Sequence, residues 1–147
     1  MWFLYGFALV AGIANAVQSG VNATLSKNLA QPFAAGIVVS LAGGVTLLVI
    51  GLILGRFALP SLGDMRAVPL WAWFGGVAGA FLILSQLFVA QQIGAAPYLG
   101  LLVTAGVITS ILLDHFGWVG FEQHPLTLWR AVGGVLMIGG IALVALF

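Results

Sequence analysis

Residues 32–54 read PFAAGIVVSLAGGVTLLVIGLIL. Only Ser40 and Thr46 interrupt the apolar run, and no side chain in it is charged. About 20 such residues suffice for a helix to cross a hydrocarbon core of roughly 30 Å. Pro32 suits the first turn of that helix, where its missing N–H costs nothing. The run shows no in–out alternation of a barrel strand, so a helix is the one way it can satisfy its backbone in lipid.

Four further segments have the same character. The first is apolar from Trp2 to Val17 and continues as a more polar helix towards Leu25; the others are Trp71–Ala90, Ala96–Leu113 and Trp129–Phe147. The pattern predicts an all-α integral membrane protein, with five transmembrane helices over about 2–25, 32–54, 71–90, 96–113 and 129–147 in a single transmembrane domain, 1–147. Trp2, Trp71 and Trp129 open helices on one side of the bilayer, as an interfacial aromatic belt would. The longer connections, 55–70 and 114–128, carry the prolines and glycines of loops. Ala14-Asn15-Ala16 resembles a signal cleavage site, but no basic residue precedes it, so the first helix is expected to be retained.

Composition agrees. Of 147 residues 63% are hydrophobic and 5% charged, and the mean hydropathy is +1.23. Ordinary soluble domains carry about a quarter charged residues, so a soluble monomer is excluded, and so is a disordered chain. The net charge of +1 offers no basic patch for nucleic acid. There is no cysteine, and His115 and His124 lie apart from any metal-ligand pattern, so neither metal nor cofactor is expected. Arg56, Arg66 and Arg130 fall on one face and Lys27 on the other. That bias of three to one favours a cytoplasmic N-terminus, and is weak enough to permit insertion both ways round.

Asn15, Gln18, Asn22 and Ser26 share one face of the first helix within about 80°, beside a stripe of Ala8, Gly12, Ala16 and Gly20. Such a face can line a polar translocation path or act as interhelical glue, worth only about 0.6 kcal/mol per bond on average. Gln18 and Asn22 one turn apart, with Asn15 added, exceed what packing requires, which favours a lining. By depth, Gln18 and Asn22 share the outer half of the bilayer with Ser85 and Gln86, while Asn15 and Thr104 are near its middle. Trp73, able to stack on a cation, is better suited to an interfacial anchor. No span has a central carboxylate or lysine, which counts against proton antiport through a buried acid. Asp114-His115 could form a gate or proton relay. More economically, Asp114 pairs with Arg130, since both stand at the unfavourable ends of their helix dipoles. No nucleophile–base pair, phosphate loop or carboxylate pair is present, so an enzyme is not expected. Runs such as Gly75-Gly76 with Gly79, Gly36 with Ser40 and Gly44, and Gly133-Gly134 with Gly139-Gly140 read as close helix contacts.

Four motifs occur in order: Gln18-x-x-x-Asn22-x-x-Leu25, Pro69-x-Trp71-Ala72-Trp73-Phe74-Gly75-Gly76-x-x-Gly79-Ala80, Asp114-His115-Phe116-Gly117 and Arg130-x-x-Gly133. Together they resemble the YdcZ-like five-helix family of the drug/metabolite transporter superfamily, over nearly the whole chain. Val107 stands where that pattern has a glutamine, and Leu70 where it tends to have a tryptophan. The resemblance implies half of a ten-helix drug/metabolite transporter-like fold, working as a homodimer whose halves are inverted by dual topology in the bacterial inner membrane.

The expected function is therefore alternating-access transport of a small polar, cationic or amphipathic solute, at a mid-membrane site lined by Asn15, Gln18, Asn22, Gln86, Thr104 and Trp73. A small channel and a non-transporting membrane scaffold are the alternatives. The partners expected are the lipid bilayer, the solute and a second copy of the chain.

Overall fold

A computed structural model describes residues 2–147, and all regular structure among them is helical. The helices are α1 (Trp2–Leu29), α2 (Pro32–Ile53), α3 (Leu62–Ala67), α4 (Phe74–Phe88), α5 (Ala90–Ile93), α6 (Ala95–Phe116) and α7 (Leu128–Leu146), with 3₁₀ turns at Leu70–Trp73 and Trp118–Gly120. Five helical segments are long and apolar enough to cross a membrane: α1, α2, Leu70–Ile93, α6 and α7.

The helix ends follow from local chemistry. The sequence places the end of the first helix near Leu25, but α1 continues to Leu29. Its last turns satisfy their polar side chains internally, with Thr24 Oγ1 donating to the Gly20 carbonyl and Asn28 Nδ2 to that of Thr24. Ala30 then takes a positive φ of 50°. Gln31, held out of the helical region by the following proline, opens α2. The third span starts as a 3₁₀ turn at Leu70 and breaks at Val89, so it is three pieces where the pattern suggests one helix. Gly94, at φ +91°, separates α5 from α6. At the far end of α6, Gly117 adopts the left-handed conformation and returns its N–H to the Leu113 carbonyl, a common helix stop. This carries α6 three residues past the Leu113 expected from hydropathy. The short α3 in the loop after α2 is set by a capping box between Ser61 and Asp64, a signal that hydropathy alone passes over.

The chain forms two compact units, one ending at Gln91 and one starting at Gln92. In the first, α1, α2 and α4 pack against one another; in the second, α6 and α7 form an antiparallel hairpin. Close approach is local. A Cβ on Gly36 would lie 3.5 Å from Leu87, one on Gly134 would lie 3.9 Å from Ile108, and one on Gly100 would collide with Ile141. By contrast, a Cβ at Gly12, Gly20, Gly44, Gly75, Gly76, Gly79, Gly133, Gly139 or Gly140 would meet nothing within 4 Å. Those small residues are not used for packing within the described chain.

The interior is more polar than the exterior. Among the described residues Ser19, Asn22, Ser26, Gln86 and Thr104 are buried, beside only Ala35, Leu87, Ala90 and Tyr98 of the apolar ones, while most large apolar side chains point outwards. This is the distribution expected when the surrounding solvent is hydrocarbon, because a polar side chain then has partners only inside.

Candidate functional site

The site is built on one seam of α1. Asn15, Ser19, Asn22 and Ser26 follow a four-three-four spacing, which keeps them within about 60° on a helix of 100° per residue. Asn22 and Ser19 are 3% and 2% exposed, and Ser26 is buried with them. α4 faces the seam and delivers Gln86, itself buried. Asn22 Nδ2 donates to Gln86 Oε1 at 2.7 Å, and Gln86 Nε2 donates to Asn15 Oδ1 at 3.3 Å. One carboxamide therefore bridges two asparagines standing two turns apart on the neighbouring helix.

The relay carries no formal charge, so it needs no counter-ion at depth. Among the described residues, the Ser19 hydroxyl is fully buried without a hydrogen-bond partner. It is flanked along the helix by Asn15 one turn before and Asn22 one turn after. An unmet hydroxyl in a dry interior forfeits about 1–3 kcal/mol, which makes this seam the place where a solute or water has most to offer.

Below the relay, Gln91 ties the end of the third span to α1. Its Nε2 donates to the Leu87 carbonyl at 3.0 Å and to the Ala23 carbonyl at 3.2 Å. These two acceptors belong to different helices, so a single side chain closes the break at Val89 and fixes it against the seam.

Of the residues expected at the site, the structure brings together Asn15, Asn22 and Gln86. Gln18 is exposed, because its position lies about 70° from the mean direction of the seam; Ser19 occupies the inward place expected for it. Trp73 ends the 3₁₀ turn before α4 and is half exposed. Thr104 belongs to the second unit, buried in a groove of about 470 Å³ with Gly100, Val103 and Met137. Sequence reasoning misses Ser19 and Gln91. The first has a legible signal, since Asn15, Ser19, Asn22 and Ser26 repeat with heptad-like spacing.

The second cluster is at the end of the hairpin. Arg130 Nη1 lies 3.3 Å from Asp114 Oδ2. The connecting loop is stitched back onto α6: the Asp114 carbonyl accepts the His124 N–H at 2.8 Å, the His115 carbonyl accepts from Gln123 Nε2 at 3.0 Å, and His115 Nδ1 accepts the Leu126 N–H at 3.0 Å. That last bond uses the neutral ring with its proton on Nε2. Thr127 Oγ1 caps α7 by accepting from the Arg130 N–H. Each residue of Asp114-His115-Phe116-Gly117 thus has a local structural role. Asp114 pairs, His115 anchors the loop, Phe116 stacks on Trp118 at 4.8 Å, and Gly117 stops the helix.

The sequence profile described as "Putative inner membrane exporter, YdcZ" matches residues 3–143. The chain belongs to the YdcZ family. It is 26% identical over 140 residues to the inner membrane protein YdcZ of Escherichia coli (strain K12), an alignment covering 95% of this chain and 92% of that protein. No solved structure matches it. The YdcZ-family assignment and the five apolar helices make this a multi-pass protein of the bacterial inner membrane. The description of the family is that of an inner membrane exporter, a transport role and not an enzymatic one.

Proposed function

We propose that this YdcZ-family protein exports a small polar, cationic or amphipathic solute by alternating access, as a homodimer of five-helix halves. The observation that carries the reading is the Asn22–Gln86–Asn15 relay, buried at Asn22 and Gln86 and half-buried at Asn15, with the unmet Ser19 hydroxyl beside it. Neutral donors and acceptors at depth can exchange hydrogen bonds with a solute without the cost of an isolated charge. In this reading Asn15, Asn22 and Gln86 hold the solute. Gln18 and Thr104 contribute on their own faces, Trp73 anchors the third span at the interface, and Asp114–Arg130 is a structural clamp. The weak charge asymmetry supports two copies inserted oppositely, which would give the inverted repeat common in transporters.

The test is accumulation of a panel of permeant dyes, ethidium among them, in cells expressing the protein or its N22L/Q86L variant. Lower accumulation of at least one dye, lost in a variant that retains expression, supports export through the relay. Full activity in the variant overturns it. Reporters active on one side of the membrane, fused to the C-terminus, test the arrangement: signal on both sides supports opposed copies, and signal on one side removes them. A scaffold reading is favoured by one observation, that the three carboxamides bond to each other as glue would. It predicts that no dye in the panel distinguishes expressing cells from controls.

A further inference from the structure

Within the second unit, a groove of about 490 Å³ runs along α6 and α7, lined by Val107, Ser110, Asp114, Arg130, Gly134 and Met137 among others. We propose that it binds one membrane phospholipid with a zwitterionic, ethanolamine-type headgroup.

The argument is the order of chemistry along the groove. At its mouth, where α6 ends and α7 begins, stand one anion and one cation. Their pair is single-pronged: only Arg130 Nη1 and Asp114 Oδ2 meet, and the side chains remain 38% and 27% exposed. Among the described residues nothing bonds Arg130 Nε, Arg130 Nη2 or Asp114 Oδ1. The free guanidinium edge suits a phosphate, and the free carboxylate oxygen suits an ammonium. The Ser110 hydroxyl lies one helical turn deeper, about 6 Å along α6, where the ester carbonyls of a phospholipid would fall. Deeper still, Val107, Gly134 and Met137 leave an apolar channel for an acyl chain; the absence of a side chain on Gly134 keeps it open. The groove between α2 and α4, of about 390 Å³, has the apolar wall but no charge at its mouth, so ordinary helix packing does not account for this arrangement. A headgroup with both charges matches both partners, whereas a glycerol headgroup offers Asp114 only neutral hydroxyls in place of an ammonium.

The whole chain in detergent, titrated with phosphatidylethanolamine or phosphatidylglycerol and followed by native mass spectrometry, provides the test. The unmodified protein is expected to retain the ethanolamine lipid about fivefold more than the glycerol lipid. Asp114→Asn should abolish that preference. Val107→Phe with Ser110→Leu should abolish retention while leaving the ion pair intact, which keeps the test decisive if the charge variant fails to fold. Equal retention of the two lipids by the unmodified protein overturns the proposal. So does undiminished retention once the groove is filled.

Discussion

Asn22 on α1 and Gln86 on α4 are joined side chain to side chain at 2.7 Å, both almost fully buried in a unit whose exterior is hydrocarbon-like. The bond fixes the rotation of one helix against the other, since turning α1 by one residue would bring Val21 or Ala23 to Gln86 in place of the asparagine. Hydrogen bonds between membrane helices average about 0.6 kcal/mol and reach about 1.7. A double-mutant cycle with Asn22→Leu and Gln86→Leu, read by detergent unfolding, should give a coupling energy in that range. Zero coupling would show that the two carboxamides do not depend on each other.

Gln91 holds two carbonyls of different helices. Gln91→Ala should cost about 1–2 kcal/mol for the two bonds. It should also raise amide exchange around Val89 and Ala90 relative to the rest of the third span, as seen by hydrogen exchange with mass spectrometry. Uniform exchange across the span would contradict its bridging role.

His115 accepts the backbone N–H of Leu126, so His115→Ala leaves that amide without its partner. Faster exchange at Leu126 is expected, with a loss of about 1 kcal/mol. Asp114→Asn should cost less than about 1 kcal/mol, because the pair is partly open to solvent. A larger effect from Asp114→Asn than from His115→Ala would reverse this ranking of the loop's anchors.

Val119 occupies positive φ (58°), a region costly for a β-branched residue. Val119→Gly should stabilise the hairpin by up to about 1–2 kcal/mol, partly offset by the entropy that glycine adds to the unfolded chain. Thermal unfolding in detergent measures the difference, and a lower midpoint would refute the strain.

Asp64 lies outside the spans, where hydrogen bonds from the Ser61 side chain and backbone hold its carboxyl below the usual 3.8. A folded value lowered in this way means the cap contributes fully above the unfolded carboxyl value and is lost as pH falls through the folded one. Protection of the Asp64 amide should therefore persist at about pH 5 and disappear only below the ordinary carboxylate range. Ser61→Ala should remove that protection at every pH.

The spans, their number and the membrane environment were determined by sequence alone, because they depend on summed hydropathy over about 20 residues, and no tertiary contact can reverse such a sum. The Asp114–Arg130 pairing was legible for a related reason: two charges at unfavourable helix ends, joined by one connecting loop, have few other partners. The seam was only partly legible. Helical periodicity narrows the inward face of α1 to a sector in which Gln18 and Ser19 are both admissible, lying about 60° and 40° to either side of Asn15. Which of them turns inward was decided by where α4 stands and by Gln86 reaching Asn22, and that is a tertiary fact. The same holds for Gln91, whose bridging role exists only because the helix breaks beside it. It holds too for the groove along α6 and α7, whose parts lie on two helices and become one surface only when the hairpin closes.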